Sequence, residues 1–105
     1  MTPPIDRRAT LRFQSKPGCK FTYGLATAEI RDVSMDGIFV LDPDPLPAGS
    51  ELAFTILTSG SEIALEGIVR HVEDQVGMGI QFVNVSIVSQ RRLRIYIASL
   101  APATS

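Results

Sequence analysis

The sequence predicts an all-β fold, a small antiparallel β-barrel or sandwich of six strands followed by one C-terminal helix. Three observations predict this class. Short apolar and β-branched segments alternate with turns that are rich in Gly, Pro, Asp and Ser. Residues 51–57 alternate with the period of a strand, which places Leu52, Phe54 and Ile56 on one face. Near the C-terminus the apolar residues follow the period of a helix instead: Leu93, Tyr96, Ile97 and Leu100.

Length and composition restrict the functional classes. The chain has 105 residues, of which 45% are hydrophobic and 20% are charged. This length and this balance of apolar and charged residues predict one compact domain over residues 1–105. The net charge of −1 argues against sequence-independent binding to nucleic acid or to a membrane surface. One cysteine, Cys19, excludes an internal disulfide framework. Because the chain shows neither a signal-peptide core nor an apolar run of the ~20 residues that a membrane span needs, we expect a cytoplasmic protein.

The predicted strands follow one another between clear turn signals. They cover residues 19–23, 27–31, 37–41, 51–57, 63–72 and 77–83. Residues 16–18 form a turn, and residues 42–47 form a rigid connector because their prolines lack backbone donors. Gly67 predicts a bend in the fifth strand. Gly77 and Gly79 predict close packing or a bulge in the sixth.

A helix is predicted over residues 86–100, with Asn84 or Ser86 as its N-cap. Its apolar stripe needs a partner, and we expect it to cover one opening of the barrel. Three arginines point mostly away from that stripe: Arg91, Arg92 and Arg94. We interpret them as a solvated helix face, with a surface for a partner protein as the alternative.

Basic residues are concentrated at the N-terminus, where residues 1–12 are predicted to form a flexible tail. The tail contains three of the ten Lys and Arg residues, namely Arg7, Arg8 and Arg12. The planar guanidinium of arginine pairs bidentately with phosphate or with the O6/N7 edge of guanine, and it also stacks on a base. A solvated basic tail is the other interpretation of the same residues.

A polar segment between the second and third predicted strands is the other candidate element. Asp32, Ser34 and Gly37 supply a carboxylate, a hydroxyl and a residue that lets a ligand approach the backbone. Because an ionised carboxylate only accepts hydrogen bonds, it suits the N1 and N2 donors of guanine. The tail and this segment together complement a guanine nucleotide with phosphates. A plain hairpin turn is the alternative for the segment alone.

Three motifs in order make the chain resemble the PilZ domain family, the bacterial receptor module for cyclic di-GMP. Residues 8–12 match the family's Arg-x-x-x-Arg element, and residues 32–37 match its Asp/Asn-x-Ser-x-x-Gly element. Residues 77–82 resemble its late Gly-x-Gly-Ile/Val-x-Phe strand. The resemblance covers nearly the whole chain. It implies a six-stranded antiparallel barrel with a C-terminal helix, and cyclic di-GMP as the ligand without a further cofactor.

The resemblance implies roles for the N-terminal arginines. Arg8 and Arg12 would grip guanine and phosphate from a tail that folds over the ligand. Arg7 precedes the first motif arginine, and in the family an arginine there accompanies a stacked ligand dimer. Ligand would thereby order the tail across the barrel and change a surface that a protein partner reads.

For the polar segment, the resemblance implies that Asp32 and Ser34 hydrogen-bond the guanine or the phosphate and that Gly37 leaves room for it. The expected function is that of a stand-alone receptor without catalytic activity. A PilZ-like adaptor that works through protein contacts and needs no nucleotide is the first alternative. Binding of single-stranded nucleic acid by a small barrel is a weaker one, because the net charge is slightly negative.

No catalytic or metal-binding group is predicted. His71 lies in an apolar strand and lacks the companions that a metal site or a catalytic triad needs. Cys19 is interpreted as an inert strand residue. The carboxylates of Asp32 and Asp36 are accompanied by no nucleophile or general acid that would mark them as a hydrolytic pair.

Overall fold

The computed structural model describes residues 11–16 and 18–100. Seven strands and one helix follow in chain order: β1 Phe13–Gln14, β2 Lys20–Tyr23, β3 Ala26–Val33, β4 Gly37–Leu41, β5 Glu51–Leu57, β6 Glu62–Glu73, β7 Gly77–Val83 and α1 Ile87–Ala98. Six of the strands match the predicted ones. The two-residue strand β1 was not predicted, because so short a segment has no period to read.

The strands form one closed antiparallel barrel. Its circular order is β2, β5, β6, β7, β4, β3 and back to β2. Strand β1 also pairs with β3, further along that strand than β2 does, with Phe13 opposite Val33. The barrel therefore consists of two three-stranded meanders, β2–β3–β4 and β5–β6–β7, joined along two seams, β2–β5 and β4–β7. The predicted six-stranded barrel with a terminal helix is confirmed.

The core fills the barrel and continues into the helix. Inward side chains of the strands include Phe21, Ile56 and Ile63, which are fully buried. The predicted apolar stripe of α1 belongs to the same cluster. Of the two candidate caps, Ser86 is the N-cap, since its side chain accepts a hydrogen bond from the backbone N–H of Ser89. The helix predicted over residues 86–100 spans Ile87–Ala98.

A β-bulge changes the end of β3 from what the sequence predicted. The pairing with β4 shifts between Ile30 and Asp32, so that Arg31 is the extra residue. Both Ile30 and Val33 consequently face the core, although a regular strand would point them to opposite faces. Strand β3 continues to Val33, and Asp32 therefore lies in the strand, not in the loop.

A second bulge lies in β6. Its pairing with β7 shifts between Val69 and His71, whereas Gly67 pairs in register with Leu52 and Phe82. The irregularity predicted at Gly67 therefore lies three residues further along the strand.

Glycines line the β4–β7 seam. A methyl group on Gly37 would lie 2.5 Å from the carbonyl oxygen of Ile80, and one on Gly77 would overlap the carbonyl of Val40. The close packing predicted at Gly77 is confirmed. In the part of the chain that the structure describes, no helix has the length and apolarity to span a membrane.

Candidate functional site

The bulge at Arg31 builds the centre of the candidate site. Because Arg31 is inserted into the pairing, its side chain and that of the next residue, Asp32, both lie outside the core cluster. Asp32 is the more covered of the two, with 15% of its side chain exposed. The strand thus presents a cation and an anion side by side on the outer face of the barrel.

Two guanidinium groups hold the carboxylate of Asp32. Its Oδ1 accepts hydrogen bonds from Nε of Arg12 at 2.8 Å and from Nη2 of the same residue. Its Oδ2 accepts one from Nε of Arg31 at 2.9 Å. Both carboxylate oxygens are therefore engaged by positive charge, and two of the predicted site residues, Arg12 and Asp32, are in direct contact.

Ser34 organises the turn between β3 and β4 and is almost fully buried, with 1% exposed. Its Oγ accepts from the backbone N–H groups of Asp36 at 3.1 Å and Gly37 at 3.2 Å, and it also lies 3.4 Å from the carbonyl oxygen of Gly37. The backbone N–H of Ser34 donates to that carbonyl at 2.8 Å. Nη1 of Arg12 donates to the hydroxyl as well, at 3.1 Å. Ser34 thus closes the turn and also contacts the arginine.

The fold itself requires a glycine at position 37. The approach of β4 to the carbonyl of Ile80 leaves no space for a Cβ. This contact accounts for Gly37 before any ligand is considered. Its implied role in leaving room for a ligand stays a prediction.

Arg31 is a member of the site that sequence reasoning missed. Its Cζ lies 3.8 Å from the ring centroid of Phe39, which is a cation–π contact. Its Nη1 lies 3.9 Å from a carboxylate oxygen of Glu73. Together with the hydrogen bond to Asp32, these contacts give the Arg31 side chain three partners.

Strand register places four residues in one row across the barrel wall. Asp32 is opposite Phe39, Phe39 is opposite Gly79, and Gly79 is opposite His71. The rings of Phe39 and His71 lie 6.4 Å apart, and Nε2 of His71 is 3.3 Å from the carboxylate of Glu73. His71, interpreted from the sequence as an ordinary strand residue, therefore lies at the far end of the row that begins at Asp32.

Two of the predicted site residues lie outside the described residues. Arg7, Arg8 and most of the predicted tail, residues 1–12, belong to the part of the chain that is not described. Of that tail, the structure describes Leu11 and Arg12, neither of which is in a helix or strand.

Tyr96 connects the segment after Arg12 to the helix. Its hydroxyl lies 3.1 Å from Oγ of Ser15, within hydrogen-bond distance. Burial raises the pKa of the Tyr96 phenol to about 12. The chain is therefore anchored to α1 three residues beyond Arg12.

Other concave or titratable features do not coincide with this site. A groove of about 470 Å³ lies between β2, β5, β6 and the start of α1, and none of its lining residues is Arg12, Asp32 or Ser34. Burial, and then the charges of Asp42 and Asp44, raise the pKa of Tyr23, which lines that groove. Within residues 11–16 and 18–100, no group of three His, Cys, Asp or Glu side chains is placed to hold a metal ion.

Comparison with solved structures identifies related folds. The PilZ domain of YcgR from Escherichia coli, solved with c-di-GMP, superposes with a TM-score of 0.75 at 19% identity, over 90% of this chain and 92% of that one. The inhibitor of motility MotI/DgrA from Bacillus subtilis gives 0.71 at 21% identity, over 94% of this chain and 55% of that one. The Legionella protein Lpg0364 gives 0.66 at 16% identity, over 84% and 90%. The TM-scores show a common fold, and at identities of 16–21% the likeness is one of fold alone.

Sequence comparison supplies the family. No curated protein sequence gives a significant match. The model of the PilZ domain family, in contrast, matches residues 6–99, which include all three motifs and every element of the barrel. The chain therefore belongs to the PilZ domain family.

Proposed function

We propose that this chain is a stand-alone, non-catalytic, cytoplasmic receptor for c-di-GMP. The ligand would bind on the outer face of the barrel at the end of β3, against Arg12, Asp32, Ser34 and Gly37. The undescribed arginines would complete the site: Arg7 and Arg8. A protein partner would read the surface that results.

The proposal rests on one observation. Arg12 belongs to one sequence motif and Asp32 and Ser34 to another, yet the Arg12 side chain hydrogen-bonds the side chains of both Asp32 and Ser34. Guanidinium groups suit phosphate and the guanine O6/N7 edge, and the carboxylate suits the guanine N1 and N2 donors. The PilZ domain of YcgR, solved with c-di-GMP, supports the same ligand for a chain of this fold.

Ligand binding would exchange an internal ion pair for contacts to the nucleotide. Asp32 accepts two hydrogen bonds from Arg12 and one from Arg31, which leaves one of its about four acceptor sites. One guanidinium must therefore leave before both N1 and N2 of guanine can donate to the carboxylate. Arg31 is also held by Phe39 and Glu73, whereas Arg12 is 39% exposed and lies outside regular structure. Arg12 is therefore the group that moves onto the ligand.

The energies favour this exchange. A partly exposed ion pair contributes about 0–1 kcal/mol. A bidentate arginine contact to guanine contributes about 1–3 kcal/mol. Movement of Arg12 onto the nucleotide would also draw residues 1–12 across the barrel, which converts a basic segment into part of a packed surface.

Calorimetric titration of the full chain with c-di-GMP, with GTP as the control ligand, tests the proposal. We expect binding of c-di-GMP alone, and at least about fivefold weaker binding in Arg12→Ala and in Asp32→Ala. Arg70→Ala is the matched control, since Arg70 is an exposed arginine of the barrel that hydrogen-bonds Gln81. Unchanged affinity in both site variants would overturn the assignment.

The stoichiometry tests the role of Arg7. Two nucleotides per chain, reduced to one in Arg7→Ala, would agree with a stacked ligand dimer. One nucleotide per chain in the unaltered protein would remove that role while leaving the receptor function intact.

A second function is favoured by the same ion pairs. Asp32 has both oxygens satisfied by arginines of the chain itself, so the site is complete without a nucleotide. This arrangement fits an adaptor that acts only through protein contacts. Absence of any c-di-GMP binding, together with partner capture that survives both Arg12→Ala and Asp32→Ala, would favour this second function.

A further inference from the structure

The outer face of α1 carries apolar residues that the fold does not use. With 3.6 residues per turn, Ile87, Arg91 and Ile95 lie in one line along the helix, and Val88 and Arg94 flank that line. The exposed fractions of the aliphatic residues are 76% for Ile87, 58% for Val88 and 67% for Ile95. We refer to these five residues as the α1 outer face.

This face is opposite to the one that packs on the barrel. The buried residues of α1 are Ser89, Leu93, Tyr96 and Ile97. The helix is therefore apolar on two sides. The inner stripe explains how α1 docks on the core, and the outer stripe contributes nothing to that docking.

Charge is distributed unevenly between α1 and the barrel. Residues 84–100 contain three arginines and no acidic residue, whereas residues 20–83, which include the six barrel strands, contain ten acidic residues and three basic ones. Arg92 donates to the carbonyl oxygen of Glu62 at 2.9 Å. Within residues 11–16 and 18–100, Arg91 and Arg94 form no ion pair, so their charges remain available.

We propose that the α1 outer face is a docking surface for an acidic, amphipathic segment of a partner protein. Aliphatic side chains of that segment would pack on Ile87, Val88 and Ile95. Its carboxylates would pair with Arg91 and Arg94, since arginine is enriched in interface hot spots and pairs bidentately with carboxylate. A face that combines aliphatic and basic side chains fits a face that combines aliphatic and acidic ones.

Charge argues against the two other occupants. A two-fold pairing of α1 with a second copy of the chain would bring the central Arg91 guanidiniums of both copies together, and like charges at a contact are unfavourable. An anionic membrane would attract the arginines but repel the acidic barrel behind them. The face also lacks the Trp and Phe side chains that are common in helices at membrane interfaces.

The inference does not depend on nucleotide binding. None of the five residues belongs to the site at Arg12, Asp32 and Ser34. Loss of c-di-GMP binding would therefore leave this proposal standing, and loss of docking at α1 would leave the receptor function standing.

Selection from a random peptide library displayed on phage tests the proposal, with the full chain as bait. Peptides of about 16 residues are long enough to form a helix that spans α1. We expect the enriched peptides to combine Asp and Glu with aliphatic or aromatic residues at helical spacing. Fluorescence anisotropy with synthetic versions should then give at least about tenfold weaker binding for Ile95→Glu and for Arg91→Glu.

Leu25→Glu is the matched control. Leu25 is fully exposed in the turn between β2 and β3, so the substitution adds the same charge to an exposed aliphatic position away from α1. We expect it to bind the peptides as the unaltered chain does. Circular dichroism and thermal melts should show all three variants folded, because all three altered side chains are exposed.

Three results would overturn the proposal. The first is peptides that bind Ile95→Glu and Arg91→Glu as tightly as the unaltered chain, or that contain no acidic residues. The second is a concentration-dependent dimer in sedimentation velocity that Ile95→Glu abolishes, since the face would then belong to a second copy. The third is cosedimentation with vesicles of phosphatidylcholine and phosphatidylglycerol that Ile95→Glu abolishes, since the occupant would then be a membrane.

Discussion

Asp32 and Ser34 are two residues apart, but their side chains have hydrogen-bond partners of different kinds. The hydroxyl of Ser34 is buried and bonded to backbone groups of its own turn, and Gly37 is fixed by its contact with β7. We call this pair the turn floor. Asp32 is bonded to side-chain cations, Arg12 and Arg31, and we call these three residues the charged rim.

The difference separates what the motif does for folding from what it can do for a ligand. Backbone bonds of the floor cannot be given up without opening the turn. Ion pairs of the rim can be exchanged for a nucleotide at little cost in stability. A loss of binding in a floor variant is therefore expected to include the effect of a changed turn, whereas a loss in a rim variant reports the contact itself.

Gly37→Ala should have the largest effect on stability. The new methyl group would lie 2.5 Å from the backbone carbonyl of Ile80, which is not free to move away. We expect the free energy of unfolding to fall by about 3 kcal/mol, measured by chemical denaturation. Gly60→Ala is the control, because a methyl group there would meet nothing within 4 Å. Equal effects of the two substitutions would contradict the assignment of Gly37 to the floor.

Stability at alkaline pH tests the contact between the Tyr96 hydroxyl and Ser15, which anchors the chain three residues beyond Arg12. Burial raises the pKa of Tyr96 from 10.0 to about 12, so the folded chain keeps this proton when the unfolded chain has lost it. The contribution of this phenol to the free energy of unfolding should therefore be constant below pH 10. It should decline between pH 10 and pH 12, by at most about 2–3 kcal/mol. In Tyr96→Phe this part of the decline should disappear, which denaturation at a series of pH values would reveal. An identical decline in both proteins would show that another group causes it.

Ser34→Ala should lower the free energy of unfolding by about 2 kcal/mol, because it removes the acceptor of the buried N–H of Gly37. Ser61→Ala is the control, since Ser61 is only partly buried and lies in a turn where its backbone carbonyl, and not its hydroxyl, accepts from Thr58. Denaturation measures both. If Ser34→Ala were as mild as its control, the hydroxyl would not be holding the turn, and the contrast with Asp32 would be lost.

Arg12→Ala should have the smallest effect on stability, below about 1 kcal/mol, because the lost ion pair is partly exposed. Its c-di-GMP affinity should nevertheless fall at least about fivefold in titration calorimetry. Arg12→Lys should not restore the affinity, since a lysine lacks the planar fork of donors. A large loss of stability in Arg12→Ala would show that Arg12 is needed to hold the turn, which would contradict its assignment to the charged rim.

Regular periodicity made most of the barrel predictable. Strand β5 was predicted with its observed bounds because Leu52, Phe54 and Ile56 alternate cleanly with their neighbours. The end of β3 was not, since the bulge at Arg31 interrupts the period of two and lets Ile30 and Val33 face the same core. A bulge is a property of the pairing between two strands, and one strand's sequence does not display it.

The site was predictable only in part for the same reason. Asp32 and Arg12 were named from their chemistry and from the family resemblance, but their contact spans twenty positions and depends on the fold. Arg31 was missed because the bulge brings it beside Asp32 and over Phe39. The structural reason for Gly37 depends on the register of β4 with β7, which no local pattern contains.

The two seams of the barrel have a consequence for how fast it forms. Within each meander, strands pair with neighbours in sequence, but along the β4–β7 seam Gly37 pairs with Gln81 and Leu41 with Gly77, about forty residues apart. Such distant pairing is slow, because chain entropy is lost before contacts are gained. We therefore expect the first meander, with the turn of Ser34, to form early and the glycine-lined seam to close late. Gly37→Ala would then accelerate unfolding and leave the refolding rate almost unchanged.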